Sequence, residues 1–377
     1  MESLQRRLTF IDLLRAYAIL MMLQGHFTDT LLADAFRDPD HTVFAAWKFL
    51  RGMTAPIFFF ASGLIFVFLL LKDGRPAAKN KRVKKGLSRG LQLIVIGYAL
   101  RLCFPQLVTG YISPNLFRVD VLHCIGLALL SLIALYALSQ WARLPYALLL
   151  TLAGGFTFFF FFDVQEGDYS ALPIVLQNYL VKDHGSVFTP VPWIGFTLLG
   201  GVLGTILHYR PNWAFKSYLP LTLLIGGVLL AQYSSSWLME LYHWTGEIRF
   251  KDHAYFNFLL LRLGHVLVVV SLFIWLAQAW RNIPPLLLKI GSETLVIYEV
   301  HYVLLYSTWL GIGLSAFWSH TLTPVQTLLG ALTFLIFFAV LIAYIDRIRA
   351  VWRSKSRWVL RLSRITIRRR YHRWAYR

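Results

Sequence analysis

The densest set of ionisable side chains within an apolar run of this 377-residue chain lies in the first, and includes Asp12, Arg15 and His26. Charged and titratable groups inside hydrophobic segments are costly and turn toward a cavity or a partner. Arg15 and His26 are eleven positions apart, roughly three helical turns and about 16 Å of rise, so they share a face. Asp12 and Arg15, three apart, can pair. Alone, His26 would read as a neutral core histidine bonded to a neighbouring helix. With Gln24 and Gly25 before it, Thr28 and Asp29 after it and Arg15 on its face, it reads as an imidazole in a polar cavity, a group suited to general-base work near neutrality.

Further polar residues interrupt apolar runs. Asp120 and His123 are spaced i, i+3 at the start of a fourth run, and Arg262 and His265 share a face in an eighth. Glu299 and His301 flank one position beside Tyr298. Residues two apart on a helix do not share a face, so at most one of them lines a site. Each of these groups also reads as an interhelical hydrogen-bonding residue, and Arg262 is taken that way. The basic cluster Lys81, Arg82, Lys84, Lys85 and Arg89 has two uses: it orients the chain in a bilayer, or it holds phosphates through charge-assisted bonds. No P-loop or glycine-rich dinucleotide fingerprint accompanies it, so a nucleotide site would be built from side chains. Metal-ligand spacing is absent. The two cysteines, Cys103 and Cys124, form no disulfide framework.

The elements that must position these groups are transmembrane helices. Hydrophobic residues make up 57% of the chain, charged residues only 15%, and the mean hydropathy is +0.58; a soluble domain is about a quarter charged. Apolar runs near the ~20 residues that cross a hydrocarbon core recur along the chain. They predict spans at 9–31, 53–71, 87–104, 119–138, 144–162, 188–208, 217–233, 255–278, 286–311 and 325–345. The fold class is thus an all-α bundle of about ten spans, with eleven as the alternative count. The net charge of +19 would suit a nucleic-acid binder, but its distribution does not. The stretch Lys72 to Arg89 carries +7 and the tail Asp346 to Arg377 carries +11, so the remainder is nearly neutral. Charge placed just beyond hydrophobic spans marks the cytoplasmic side, which puts both termini there. The stretches 163–187 and 234–254 become the long loops of the opposite face, either capping loops or the rim of an acceptor entrance.

Residues 1–345 read as one transmembrane domain and 346–377 as a basic cytoplasmic tail. In that tail Trp358, Leu362 and Ile365 share a face, as do Ile367, Tyr371 and Trp374, with arginines between. The pattern suits an amphipathic helix on an anionic leaflet; a plain topogenic anchor explains the same charges. Arg6, Arg7 and the Ala33-Asp34-Ala35 sequence faintly resemble a cleavable signal. The charges inside the run favour a retained first span. There is no sequence repeat and no inverted pair of broken helices of the kind many transporters carry.

The segment Arg7-Leu-Thr-Phe-Ile-Asp-Leu-Leu-Arg15, followed after ten residues by His26, resembles the first-span signature of the acyltransferase-3 family, in which the histidine is regarded as catalytic. Four more segments resemble bacterial relatives of heparan-alpha-glucosaminide N-acetyltransferase, in that family's order. They are Arg51-Gly-Met-Thr-Ala-Pro56-Ile-Phe-Phe-Phe-Ala-Ser62-Gly63, Asp120-Val-Leu-His123-Cys-Ile-Gly126, Pro190-Val-Pro192-Trp193 through Gly200, and Ile290-Gly-Ser-Glu-Thr-Leu-Val-Ile-Tyr298-Glu-Val-His301. The resemblance covers most of the chain; Ala16 departs from it, where the family has glycine. It implies a membrane acyltransferase, at home in a bacterial inner (plasma) membrane. Such an enzyme would take acetyl-CoA or another acyl-CoA from the cytoplasm and modify a hydroxyl or amine of a sugar or glycoconjugate on the other side. It implies His26 as the base, with His41, about fifteen residues before Pro56, as the second choice. Arg15 and Asp12 would form a charge network or orient the coenzyme tail. Arg82, Lys85 and Arg89 would hold coenzyme phosphates, and Asp120, His123, Trp193 and His301 would line the substrate cavity. No metal is required, no nucleic acid is a partner, the bilayer is, and a homodimer is left open. The competing class is a proton-coupled transporter or lipid flippase using Asp12, Arg15, His26, Glu299 and His301 as a relay; a scaffold or receptor, in which no buried histidine matters, is the third.

Overall fold

A computed structural model describes the chain from Leu8 to Trp374 except residue 307, with side chains described as far as Trp352. Helices follow one another through short connections: α1 Thr9–Leu31, α2 Thr42–Gly52, α3 Thr54–Leu71, α4 Lys81–Leu100, α5 Phe104–Val108, α6 Val121–Ala142, α7 Tyr146–Phe159, α8 Phe161–Glu166, α9 Ile174–Leu180, α10 Pro190–Tyr209, α11 Tyr218–Thr245, α12 Ile248–Tyr255, α13 Phe258–Ala279, α14 Pro285–Ser292, α15 Thr294–Tyr306, α16 Leu314–Trp318 and α17 Pro324–Trp374. Among the described residues there is no β-strand, only an isolated parallel bridge between Leu32 and Leu322. Helices satisfy every backbone group within themselves, which is what a hydrocarbon surrounding demands.

Among the described residues, six helical stretches are long and apolar enough to cross a membrane: Thr42–Leu71, Pro114–Ala142, Pro190–Tyr209, Tyr218–Thr245, Phe258–Ala279 and Pro324–Trp352. The shorter apolar helices α7 and α15 lie beside them. Helix α1 has 23 residues, about 34 Å at 1.5 Å per residue, but carries Asp12, Arg15 and Asp29. Helix α4 opens with Lys81, Arg82, Lys84 and Lys85. Their charges set both apart from those six stretches.

Neighbouring helices pack with defined directions. Helices α3 and α10 run parallel and nearly touch: Gly200 lies against the Phe60 carbonyl and Gly204 against that of Leu64, where added Cβ atoms would fall at 2.0 and 2.5 Å, and a Cβ on Gly63 would lie 1.8 Å from the Thr197 carbonyl oxygen. Helix α1 runs parallel to the α14–α15 pair, meeting it at Gly291 beside the Asp12 carbonyl, at Thr294 beside Arg15, and at Tyr306 beside His26. Helices α4 and α6 are antiparallel, with Gly90 against Gly126 and Gly97 against His123. The pair α11 and α13 is antiparallel too, through Gly227 against Gly264 and Ser271 bonded to the Pro220 carbonyl.

Ion pairs divide between the two ends of the bundle. One end holds Arg75–Asp73, Lys289–Asp346 and Arg349–Glu293, together with the basic start of α4. The other holds Arg51–Asp29, Arg101–Asp120, Arg249–Asp163 and His320–Asp34. The exposed Asp34 carboxyl, in the connection between α1 and α2, is held below the ordinary carboxylate range chiefly by its hydrogen bond with His320.

Three expectations change. The basic stretch is not a loop throughout: Asn80 accepts from the Arg82 and Val83 amides and caps α4, so Lys81 to Arg89 is helix. Residues 234–245 are the end of α11, which stops at Gly246 in a left-handed conformation (φ 72°), and most of the remainder to Tyr255 is α12. The ninth run is interrupted at Glu293, between α14 and α15. The last helix continues past residue 345 without a break between secondary-structure elements; the side chains of Trp358, Leu362, Ile365, Ile367, Tyr371 and Trp374 lie outside the described residues.

Candidate functional site

His26 sits on α1 five residues before its last residue, on a turn opened by Gly25. A Cβ on Gly25 would meet the Arg51 Cγ at 3.0 Å, so the glycine lets the Arg51 side chain lie across α1. Arg51, near the end of α2, forms an ion pair with Asp29, one turn beyond His26. Trp47 donates from Nε1 to the Gln24 Oε1 at 2.9 Å, fixing α2 to the same stretch of α1. The opposite wall is α15, whose Tyr298, Tyr302 and Tyr306 recur every fourth residue and so fall along one face. His26 Nδ1 is 2.5 Å from the Tyr306 hydroxyl. Its ring meets that of His301 edge to face, with centroids 5.2 Å apart.

These groups border a cavity of about 350 Å³, within the range of small-molecule sites. One side is apolar, with Ala18, Met22, Ala55, Phe58 and Phe188. The other presents His26, Arg51, Arg101, Asp120 and the three tyrosines. Arg101 follows the end of α4 and Asp120 precedes α6; their charges meet at 2.9 Å, with both side chains largely enclosed. Asp120 is also within hydrogen-bonding reach of Tyr302. The cavity therefore combines one imidazole, two paired guanidiniums and phenolic hydroxyls, which can remove a proton, hold an oxygen-rich group and exclude bulk water.

The predicted residues separate into groups. His26 and Asp120 line the cavity. His301 is fully buried behind His26, and its ring nitrogens have no side-chain hydrogen-bond partner among the described residues. His123 lies one layer out, where its Nδ1 accepts from the Asp120 amide at 3.1 Å and closes a capping box at the start of α6. Its ring packs edge-on against Tyr98 at 4.3 Å. Trp193 stands behind the lining too, packed between Phe59 and Phe188. Arg15 does not reach the cavity lining; it donates from Nη2 to the Thr294 hydroxyl at 2.9 Å, within electrostatic range of Asp12 and Arg89. His41 is exposed at the start of α2 and is not part of the lining. Arg262 and His265 both turn onto Phe49 of α2, the guanidinium over its ring and the imidazole against its edge.

At the basic end, Lys84, Lys85, Ser88, Arg89 and Gln92 line an open groove of about 530 Å³ along α4. Arg82 lies earlier on the same helix and outside that lining. Arg89 acts electrostatically on both Arg15 and Glu299, so the groove adjoins the start of the α1–α15 contact.

Four lining residues are not singled out by sequence reasoning: Arg51 and Arg101 as site groups, and Tyr302 and Tyr306. The tyrosines carry a signal, the fourfold spacing from Tyr298 on a helix that also bears His301. The arginines carry none, because their carboxylate partners Asp29 and Asp120 lie on other elements.

No curated protein matches the chain. A family model, the catalytic domain of heparan-alpha-glucosaminide N-acetyltransferase, matches residues 7–236. The matched region contains α1 to α10 and with them His26, Arg51, Arg101 and Asp120, while the tyrosine face of α15 lies beyond it. With more than half its length matched, the chain belongs to the heparan-alpha-glucosaminide N-acetyltransferase catalytic family.

Proposed function

We propose that the His26 cavity is the place where this membrane acetyltransferase passes an acyl group, acetyl in the first instance, from acyl-CoA to a hydroxyl or amine of a sugar or glycoconjugate. The observation that carries the reading is an imidazole held against Tyr306 and His301 inside an enclosed, partly polar cavity. With Nδ1–H donating to the Tyr306 oxygen, Nε2 of the neutral ring keeps its lone pair. It then takes the acceptor's proton as the acceptor attacks the thioester carbonyl. Attack by Nε2 itself, giving an acyl-histidine that the acceptor then opens, uses the same geometry.

In this reading the donor enters from the basic end. Lys85 and Arg89 in the α4 groove, with Arg82 nearby, hold coenzyme phosphates as charge-assisted partners, and Arg15 with Asp12 stands between that groove and the cavity. A volume of about 350 Å³ suits the thioester end and the reacting part of an acceptor, leaving the nucleotide outside. The acceptor enters from the opposite end, past Arg101 and Asp120. Ten spans with both termini in the cytoplasm give these two paths, and a bacterial inner membrane is the natural setting. His123 and Trp193 support the wall, and His301 backs the base. The transporter alternative gains nothing from membership of a transferase family.

The test is substitution at His26, followed as acetyl transfer by protein in nanodiscs. His26→Ala should lower the rate by about two to four orders of magnitude, the usual worth of a general base. Acyl-CoA affinity should stay close to wild type, since a base acts in the transition state. His26→Gln should be equally inactive, because an amide replaces a packing hydrogen bond but not a base. Near-normal turnover by His26→Gln, with His41→Ala inactive, would move the chemistry to the exposed start of α2.

A further inference from the structure

Both arginines in the cavity wall are already neutralised. Arg51 is bound to Asp29 and Arg101 to Asp120. Tyr306, the hydroxyl against His26, is within electrostatic reach of Asp29, Arg51 and Asp120, so the pairs flank the reacting imidazole. Beyond these pairs, His26 and the tyrosines, the described residues contribute no other ionisable side chain to the lining. The cavity is thus rich in polar groups yet carries no net fixed charge.

That balance selects among acceptors. A uronate or phosphorylated sugar would need an unpaired cation, because an anion brought out of water without one loses its solvation uncompensated. An amino sugar, largely an ammonium at neutral pH, would need a free carboxylate, and the only one in the lining is Asp120, engaged by Arg101 at 2.9 Å. It would also have to shed a proton before its nitrogen could attack. An uncharged sugar meets neither obstacle. Its hydroxyls both donate and accept, and the wall offers both functions. The guanidinium groups of Arg51 and Arg101 donate, the Asp120 carboxylate accepts, and the tyrosine hydroxyls do either. Tyr298 and Tyr302, stacked with ring centroids 5.9 Å apart, provide flat apolar surface for the C–H face of a pyranose ring.

Resting on the acyl-transfer reading above, we infer that the acceptor is a hydroxyl of an uncharged sugar, and that the Arg51–Asp29 and Arg101–Asp120 pairs set this preference. In the step, the hydroxyl oxygen bonds to the thioester carbonyl carbon and the C–S bond breaks. The hydroxyl proton passes to His26 and then to the departing thiolate. The products are a sugar acetate ester and free coenzyme thiol, with no change of oxidation state.

The experiment offers purified protein in nanodiscs radiolabelled acetyl-CoA with one of three acceptors: p-nitrophenyl β-glucoside, its 2-amino-2-deoxy analogue, and the β-glucuronide. The glucoside should be acetylated at least tenfold faster than either charged analogue, and its label should be released by hydroxylamine as an ester. A hydroxylamine-stable amide on the amino sugar as the main product, or preference for the glucuronide, overturns the inference and leaves the transferase reading standing. Failure to acetylate all three strikes the transferase reading itself and the inference with it. Two variants address the pairs. Asp120→Asn leaves the Arg101 charge unopposed and should raise the glucuronide-to-glucoside rate ratio by about tenfold. Arg101→Gln frees Asp120 and should raise the ratio for the amino sugar. Pairs that only brace the fold would slow all three acceptors together, leaving both ratios unchanged and refuting the assignment.

Discussion

Tyr306 is the residue whose role is easiest to separate from packing, because phenylalanine keeps its ring and removes only the hydroxyl. That hydroxyl is 2.5 Å from His26 Nδ1. A partner there fixes which imidazole nitrogen carries the proton and where the other one points. A hydrogen bond of this kind is worth about 1 kcal/mol net, close to a fivefold change in rate. Tyr306→Phe should therefore lower kcat by about five- to tenfold while the KM for acyl-CoA stays put; an unchanged kcat would leave Tyr306 as wall only. The histidines of this site are legible in sequence because a titratable group in an apolar run always demands a reason. The tyrosines are harder to see, since tyrosine is ordinary at membrane interfaces. Arg51 shows the other limit. It is visible as part of a motif, but its role depends on Asp29, and a residue's partner across two helices is not written in either segment.

At the scale of helices, close approach depends on glycine. The contact of α3 with α10 leaves no room for a side chain at Gly63, where a Cβ would fall 1.8 Å from the Thr197 carbonyl oxygen, backbone that cannot swing away. Overpacking of this kind costs about 1–3 kcal/mol or more. Helix α3 also carries Ala55 and Phe58 in the cavity wall, so displacing it should disturb activity as well as stability. Gly63→Ala should lower the thermal transition in detergent by several degrees. Gly226→Ala is the control: a Cβ at this position on α11 would meet nothing within 4 Å, and the transition should be unchanged. Equal behaviour of the two would mean that α3 and α10 are looser than their glycines imply. The spans themselves are readable from hydrophobic runs, and α1 begins and ends as its run does. What misleads is polarity near helix ends. The lysines after Asn80 and the serines at 234–236 look like loop, yet Asn80 starts a helix and only Gly246 ends the other. Both caps are themselves sequence signals, and weighing them ahead of the charges places both boundaries.

Across the whole molecule, the helix directions constrain topology independently of charge. In a chain that crosses a bilayer with every span, odd-numbered spans share one direction and even-numbered spans the other. The first and ninth runs, α1 and α14–α15, are parallel, as are the second and sixth, α3 and α10. The third and fourth, α4 and α6, are antiparallel, and so are the seventh and eighth, α11 and α13. Each pair has the relative direction expected if every one of these runs crosses. The separation of ion pairs adds the sense: the end with Lys81 to Arg89, Lys289 and Arg349 is the strongly basic one and should be cytoplasmic. Two positions in connections test this, Ser170 between α8 and α9 and Lys79 just before α4. In a Cys103→Ser background, Ser170→Cys should react with a membrane-impermeant maleimide on intact cells. Lys79→Cys should react only after the membrane is opened, and a reporter fused after Arg377 should behave like Lys79. Labelling of Ser170→Cys and Lys79→Cys from one side would require an even number of crossings between them, where the third, fourth and fifth runs supply an odd one. The basic groove of α4 and the rim at Arg101–Asp120 would then no longer open to opposite sides, and donor and acceptor could not approach His26 from opposite directions.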